Sequence, residues 1–379
     1  MKKLTYSTML LAGLVSCNRQ PSEQEAPSAF FGAADPAVVS GVFKPDELRA
    51  FTALNPIDAH AHVRRNEPVF NAMIDRLNLH LLNIVLVDDQ DPEQNDLKLE
   101  SNQAWTFIHA IGGRATFCTT FDPFKIHEPG FAEQAIRGLN QDFDQGAIAV
   151  KIWKNLGMEI KNANGNYILP DDPALAPIYK DIAAHNKTLV SHVADPDSAW
   201  APLSPASPDY SYFKENKFWF MYDKPHPVSK AQILLALDHV LEQNPNLRVV
   251  GAHLGSMETD LDSVAQHLDR YPNFAVDLSG RIPYLALQPR PKVIAFIRKY
   301  QDRLIYGSDL EFSPRYKMQP RMRFWEESYA NDWRFLATSG TVEFEGAKGQ
   351  GLALPDSVLR KIFHDNAVRW FPGIYTGAH

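Results

Sequence analysis

The stretch "NPIDAHAHV", residues 55–63, begins as a short apolar run and carries His60 and His62 two positions apart. In a β-strand alternate side chains share a face, so both imidazoles would point the same way. The chain has 13 histidines, and this pair alone favours coincidence or a structural pair over a shared ligand. Its meaning depends on the other strands.

Short apolar runs rich in β-formers alternate with longer amphipathic stretches along the rest of the chain. This alternation predicts parallel strands joined by right-handed crossovers. Eight such units in 379 residues favour a closed (β/α)8 TIM barrel, an α/β fold, over an open sheet. No Gly-rich phosphate motif follows the first run, which disfavours a dinucleotide-binding fold. The candidate strands are 56–62, 82–88, 114–121, 147–153, 188–194, 247–253, 274–278 and 303–309, and candidate helices include 131–143, 174–186, 229–243, 258–270 and 291–300.

Two long connections interrupt this alternation, at 195–228 and 310–355. The first is rich in aromatic residues and prolines, and the second reads as irregular. Long loops in compact domains are often functional, and in a barrel both would follow strand C-termini, where active sites lie. We therefore predict a lid after strands 5 and 8. The alternative is aromatic packing over the barrel rim.

Polar side chains recur at the C-terminal ends of the candidate strands. A charged or imidazole group in an apolar strand is costly unless it is paired or coordinated. Six such residues at one rim favour a metal site. They are His60 and His62 in the first strand, Lys151 in the fourth, His192 in the fifth, His253 in the sixth and Asp309 in the eighth.

The strand-end motifs "IDAHAHV", "AVKIWKN", "LVSHVAD", "VVGAHLG" and "IYGSDL" resemble those of the amidohydrolase superfamily. The closer resemblance is to the amidohydrolase-2 branch, which includes lactonases and non-oxidative decarboxylases as well as hydrolases. It extends from about residue 55 to "HDNAVRWF" at 364–371. The order of the motifs across eight strands makes the resemblance specific.

The resemblance implies a role for each strand-end residue. His60 and His62 match the histidine pair that binds the more buried metal, and His192 and His253 match the histidines of the fifth and sixth strands. Asp309 matches the eighth-strand aspartate, which binds metal and handles protons.

Lys151 resembles the fourth-strand lysine that binuclear family members carboxylate into a bridging carbamate. An ammonium has no lone pair and cannot ligate. With the carbamate the site would hold two ions, and without it one. Alternatively Lys151, or Lys154, binds an anionic substrate. Imidazole and carboxylate donors suit Zn²⁺, the expected metal, and also Mn²⁺ or Fe²⁺.

The chemistry implied is hydrolysis of an amide, lactone or ester by metal-activated water, with Asp309 as general base and acid. The metal, with His253 if that residue is not a ligand, would polarise the carbonyl. Arg281 is placed to bind a substrate carboxylate, and Asp277 either orients a ligand or pairs with Arg281. Two alternatives stay open: a metal-dependent decarboxylase or lyase of the same branch, and a non-catalytic solute-binding lipoprotein.

The amino terminus has the features of an export signal. Lys2 and Lys3 precede a short apolar run, and "LVSC" at 14–17 resembles the bacterial lipobox, in which the cysteine is lipidated. This predicts a signal peptide at 1–16, a membrane anchor at Cys17, a flexible tether at 17–45 and a barrel at 46–379, placed in the bacterial cell envelope. An ordinary secretory signal is the alternative. The net charge of −7 and the absence of basic runs argue against nucleic acid as a partner and leave a small molecule.

Overall fold

The computed structural model describes residues 41–345 and 347–375, and one parallel sheet dominates it. Along the chain each strand pairs with the next one, from the first to the eighth, and the ninth pairs with the free side of the first. All eight predicted strands are present, although the second begins two residues early and the eighth is split. The strands are β1 Ile57–Val63, β2 His80–Ile84, β3 Ala115–Thr119, β4 Ala149–Ile152, β5 Thr188–Ser191, β6 Arg248–Gly251, β7 Phe274–Asp277, β8 Leu304–Ile305 and β9 Leu310–Phe312.

The short strands β8 and β9 close the sheet into a ring. β8 pairs with β7 and β9 pairs with β1, and only four residues separate them. Within that gap the Ala59 amide donates to the Tyr306 carbonyl at 3.0 Å, and the Asp309 amide donates to the His60 carbonyl at 2.8 Å. The path from β8 to β9 is therefore one bent eighth strand, and the fold is the predicted α/β TIM barrel.

Helices surround the barrel and connect its strands. They often begin where the sequence supplies a cap: the Asp96 side chain accepts from two amides of α3, and Ser229 with Gln232 forms a capping box at α8. The helices are α1 Pro45–Ala53, α2 Pro68–Arg76, α3 Leu97–Ala110, α4 Phe131–Gln145, α5 Asn155–Met158, α6 Ala176–Ala184, α7 Tyr210–Glu215, α8 Lys230–Gln243, α9 Ala252–Gly255, α10 Leu261–Arg270, α11 Ile282–Ala286, α12 Arg290–Tyr300, α13 Met318–Ala337, α14 Asp356–Arg360 and α15 Asn366–Trp370, with a π-helical turn at Lys361–Asp365.

Two hydrophobic layers follow from the alternation of side chains along the strands. The large outer layer lies between strands and helices. The smaller inner layer fills the barrel and includes Trp370, Phe371 and Ile374 from the carboxyl terminus. These three residues pack among the inward-facing strand residues, and the strand C-termini are left open for the polar residues.

The expectation of an irregular segment over 310–355 is wrong. This segment contains β9, the 20-residue helix α13 and a hairpin of β10 Thr341–Phe344 with β11 Ala347–Gln350. α13 buries Met322, Trp325 and Tyr329, which recur at helical spacing, so the signal was present in the sequence.

The folded body begins slightly before the predicted boundary at residue 45, because Phe43 is buried and stacks on Phe51. The predicted signal peptide, Cys17 and the tether up to residue 40 lie outside the described residues. Among the described helices, none combines the length and apolar character needed to cross a bilayer.

Candidate metal centre

His60 and His62 face a cavity of about 590 Å³ at the C-terminal end of the barrel strands. Both side chains are buried and their ring centroids are 5.3 Å apart, as expected for alternate positions of one strand. Asp309 reaches the same point from the bend between β8 and β9, where its φ of 62° turns the chain. Its Oδ1 atom lies 3.5 Å from His60 Nε2 and 3.4 Å from His62 Nε2.

The hydrogen bonds of the two β1 histidines favour the tautomer in which Nδ1 carries the proton. His60 Nδ1 lies 2.8 Å from Asp277 Oδ2, and His62 Nδ1 lies 2.9 Å from the Ile84 carbonyl. Both partners are acceptors, so in a neutral ring Nδ1 carries the proton and Nε2 presents a lone pair. Burial also lowers the pKa of His60, which favours the neutral form that a metal requires.

His253 follows the same pattern from a strained backbone after β6. Residues 253–256 all have positive φ, and this turn places His253 Nδ1 2.8 Å from the Ser279 carbonyl, to which it donates. Burial lowers the pKa of His253 to about 3. The buried Nε2 atom has no hydrogen-bond partner among the described residues and lies 3.9 Å from Asp309 Oδ2. An unprotonated Nε2 can bind a metal ion, but it cannot donate a hydrogen bond to a substrate carbonyl.

His192 lies farther from Asp309 than the other three histidines. Its ring centroid is 4.3 Å from that of His253. Its buried Nε2 atom, also without a hydrogen-bond partner in the described chain, is 3.8 Å from Asp195 Oδ1. The structure therefore places His192 in the cavity wall but outside the group formed by His60, His62 and Asp309.

The chemistry and spacing of this group fit a divalent cation. His60, His62 and Asp309 each offer one ligand atom, and these atoms lie within 4.8 Å of one another. Metal–ligand bonds of about 2.1 Å in a tetrahedral site separate neighbouring ligand atoms by about 3.4 Å. The distances from Asp309 to His60 and His62 match this value.

Lys151 is buried behind the group, and its Nζ atom is 3.0 Å from His60 Nε2. Burial lowers the pKa of Lys151, so a larger fraction of this side chain is the neutral amine. The adjacent Lys154 is different. Its ammonium contacts Asp195 Oδ1 at 2.7 Å, Asp195 Oδ2 at 2.8 Å and the Tyr212 hydroxyl at 2.7 Å. Since these contacts use its three donors, Lys154 has none left for a substrate anion.

Arg281 lines the same cavity, on the side of β7. Its Nη1 donates to the Gly280 carbonyl at 3.1 Å, its guanidinium lies 5.2 Å from the Tyr284 ring centroid, and its buried Nε has no partner within the described residues. No ion pair joins it to Asp277, whose Oδ2 contacts His60 instead. Asp277 therefore orients a candidate ligand, and the alternative of a pair with Arg281 is wrong.

Sequence reasoning missed Asp58 and Ser279, two buried residues that form hydrogen bonds with the candidate ligand His60. Asp58 Oδ1 accepts from the amides of His60 at 3.0 Å and Ser308 at 2.9 Å, and its Oδ2 accepts from the Tyr329 hydroxyl at 2.8 Å. It thereby ties β1 to the bend that carries Asp309. An acid in an apolar strand was a signal for Asp58. Ser279, in a loop, gave none.

The chain is similar to several solved structures. An uncharacterised TIM-barrel protein from Bordetella bronchiseptica is 14% identical with a TM-score of 0.51, covering 84% of this chain and 99% of that one. 5-Carboxyvanillate decarboxylase from Novosphingobium aromaticivorans is 14% identical with a TM-score of 0.48, covering 83% and 95%. A probable 2-pyrone-4,6-dicarboxylic acid hydrolase from Acinetobacter baumannii is 15% identical with a TM-score of 0.45, covering 84% and 99%. The likeness to the Bordetella bronchiseptica protein supports the barrel fold alone.

The sequence comparisons give the family. No curated protein matches the chain. A family model described as amidohydrolase, of the amidohydrolase-2 branch, matches residues 57–373, from the first barrel strand to the segment after α15. The chain belongs to the amidohydrolase-2 family.

Proposed function

We propose that this protein is a metal-dependent hydrolase that attacks an amide, lactone or ester carbonyl. The observation that supports the proposal is the convergence of His60 Nε2, His62 Nε2 and Asp309 Oδ1 at the open end of the barrel. His253 completes the proposed ligand set, and His192 borders it. When bound, a divalent cation supplies a water of lowered pKa and polarises a carbonyl oxygen. Zn²⁺ is the proposed metal.

Asp309 is the proposed general base and acid. Its Oδ1 faces the two β1 histidines while its Oδ2 faces His253 at 3.9 Å, and the side chain is 38% exposed to the cavity and solvent. The carboxylate takes a proton from the attacking water and returns it to the leaving group as the carbonyl–heteroatom bond breaks.

The number of ions depends on Lys151. Its neutral amine would add to carbon dioxide with loss of one proton and give a carbamate, whose oxygens would be available as ligands for a second ion. Complete burial beside His60 supports this second-ion proposal, because it favours the amine over the ammonium. The unmodified lysine corresponds to a single ion.

Arg281 is the proposed binding group for a substrate carboxylate. Its Nε has no protein partner in the described chain, whereas the nearby Lys154 is fully paired. A guanidinium binds a carboxylate through two parallel hydrogen bonds. A small molecule with a carboxylate near its reacting carbonyl is therefore the proposed substrate.

We also propose that residues 195–228, named here the roof segment, cover the site as a lid. Pro196, Pro208, Asp209, Ser211 and Tyr212 of this segment line the cavity. From the region after strand 8, Glu311 and Glu345 contribute to the lining.

The export and anchoring proposals depend on the sequence of residues 1–17 alone. The protein is proposed to be held in the bacterial envelope by lipid on Cys17. In a bacterial host, Cys17→Ala should move the protein from the membrane fraction to the soluble fraction, with Cys118→Ala, a buried free cysteine, as the matched control. Membrane retention of Cys17→Ala would contradict the lipid anchor.

An activity screen of metal-replete protein tests the proposed reaction. Lactones, N-acyl amino acids, cyclic amides and aryl carboxylates are offered to the wild type and to Asp309→Asn. We expect hydrolysis of one carbonyl class, with Asp309→Asn retaining part of the metal and losing turnover. Asp302→Asn, an exposed ion-pair residue, is the control. Carbon dioxide release without net hydrolysis would identify the decarboxylase alternative instead, and normal turnover by Asp309→Asn would rule out its proton role.

A further inference from the structure

Ser279 lies two residues after β7 and is completely buried between two of the candidate ligands. Its hydroxyl oxygen is 3.0 Å from His60 Nδ1 and 3.1 Å from His253 Nδ1. The same hydroxyl donates to Asp277 Oδ1. One oxygen atom thus contacts histidines that come from β1 and from the turn after β6.

The hydrogen-bonding capacity of a hydroxyl matches these three contacts. Its single proton goes to the Asp277 carboxylate, and its two lone pairs face the Nδ1–H groups of His60 and His253. Each ring also has a second acceptor, Asp277 Oδ2 for His60 and the Ser279 carbonyl for His253. The two Nδ1–H groups are therefore shared between acceptors, and the hydroxyl is the only one of these acceptors that both rings share.

The absence of a side chain at Gly307 lets Ser279 lie close to His60. A Cβ placed on Gly307 would lie 2.8 Å from His60 Cβ and 3.2 Å from Ser279 Cβ. Gly307 therefore allows Ser279 and His60 to approach each other across the barrel end. The site is arranged to bring a hydroxyl into contact with both rings.

We propose that Ser279 is a positioning residue that couples the ring orientations of His60 and His253 and so sets the affinity of the centre for a divalent cation. This inference rests on the metal site of the proposed function. Ser279 touches no substrate and offers no ligand atom. It acts by fixing the tautomers and directions of two rings whose Nε2 atoms face the cavity, and groups that orient ligands typically change metal affinity about 10- to 100-fold.

The test compares Ser279→Ala with Ser191→Ala in the purified protein. Ser191 is a matched control because it is buried beside His192 and its hydroxyl has no partner among the described residues. Zn²⁺ affinity is measured by competition with a chromophoric chelator, and the absorption spectrum of the Co²⁺-loaded protein reports ligand geometry. We expect Ser279→Ala to lose about 10- to 100-fold in affinity with a changed Co²⁺ spectrum, and Ser191→Ala to match the wild type.

Further measurements separate positioning from general stability and from the metal site itself. The unfolding temperature of each metal-free variant is recorded, and Ser279→Thr, which keeps the hydroxyl, is expected to bind Zn²⁺ more tightly than Ser279→Ala. Equal affinities and Co²⁺ spectra for Ser279→Ala and Ser191→Ala would overturn the proposed role of Ser279 but would not contradict the metal site. Failure of the wild type to bind any divalent cation would instead overturn the proposed function on which the inference rests.

Discussion

The back of the cavity and its roof are held by different kinds of contact. At the back, His60, His62 and His253 are each fixed by a buried acceptor that lies on another strand or just after one. The roof segment consists of short helical turns and loops and leaves some apolar side chains in solvent, with Phe218 38% and Tyr222 51% exposed. This difference separates the proposed metal ligands, held by buried hydrogen bonds, from the proposed lid, which belongs to the loop regions in which substrate-specific variation is usually found.

One buried cation connects the roof to the barrel. Lys154, at the end of β4, contacts Asp195 and the Tyr212 hydroxyl, and its Nζ lies 4.3 Å from the Trp219 ring centroid. On the opposite side, the Tyr284 hydroxyl donates to Asp209. The back is held by buried hydrogen bonds. The roof is held by these polar contacts and by apolar side chains that pack into the outer hydrophobic layer, including Phe213, Trp219, Phe220 and Met221.

The largest effect is expected at the back of the cavity. The double substitution His60→Ala with His62→Ala removes two of the four proposed metal ligands. Bound metal should therefore fall to background. Elemental analysis of the purified protein measures this. His127→Ala is the control, because His127 is exposed and bonds the Lys161 carbonyl. Full metal content in the double variant would place the cation elsewhere.

A stability effect is expected where the roof meets the barrel. Lys154→Met leaves the buried Asp195 carboxylate without its cation, and losing one partner of a buried pair costs about 3–5 kcal/mol. Denaturant unfolding measures the loss, and Lys224→Met, a roof lysine that bonds only the Met158 carbonyl, should cost less. Equal losses for the two variants would show that the Lys154 contacts contribute no special stability.

Arg281→Met tests recognition at the side of the cavity. Removal of a charge-assisted hydrogen bond costs about 1.5–3 kcal/mol, so kcat/KM for a carboxylate substrate should fall about 10- to 100-fold. The amide or ester of that carboxylate, which lacks the charge, is the control substrate and should react equally with both proteins. A parallel fall for both substrates would remove the carboxylate assignment.

The smallest effect is expected from Tyr212→Phe, which removes one hydroxyl from the roof. Loss of its bond to Lys154 should cost about 1 kcal/mol. Hydrogen exchange over 203–224 should become faster while the metal content stays at the wild-type value. Faster exchange in β1 or β7 would show that the roof and the back unfold as one cooperative unit. That result would contradict the claim that separate contacts hold the two regions.

The sequence predicted the back of the cavity better than the roof, for physical reasons. Barrel strands are buried on both faces, so their continuous apolar runs and terminal histidines are visible without a structure. Lys154 and its partners come from three separate places, the ends of β4 and β5 and the helix α7. No local sequence pattern predicts a contact between residues so far apart in the chain. Ser279 was missed for the same reason, since a loop serine gains its role only from the two rings beside it.

The most direct test of the metal centre is the anomalous scattering of a Zn²⁺-loaded crystal, measured on both sides of the zinc absorption edge. We predict a peak within bonding distance of His60 Nε2, His62 Nε2 and Asp309 Oδ1. A peak bound by other residues, or full Zn²⁺ occupancy at a position that these three atoms do not reach, would contradict the assignment.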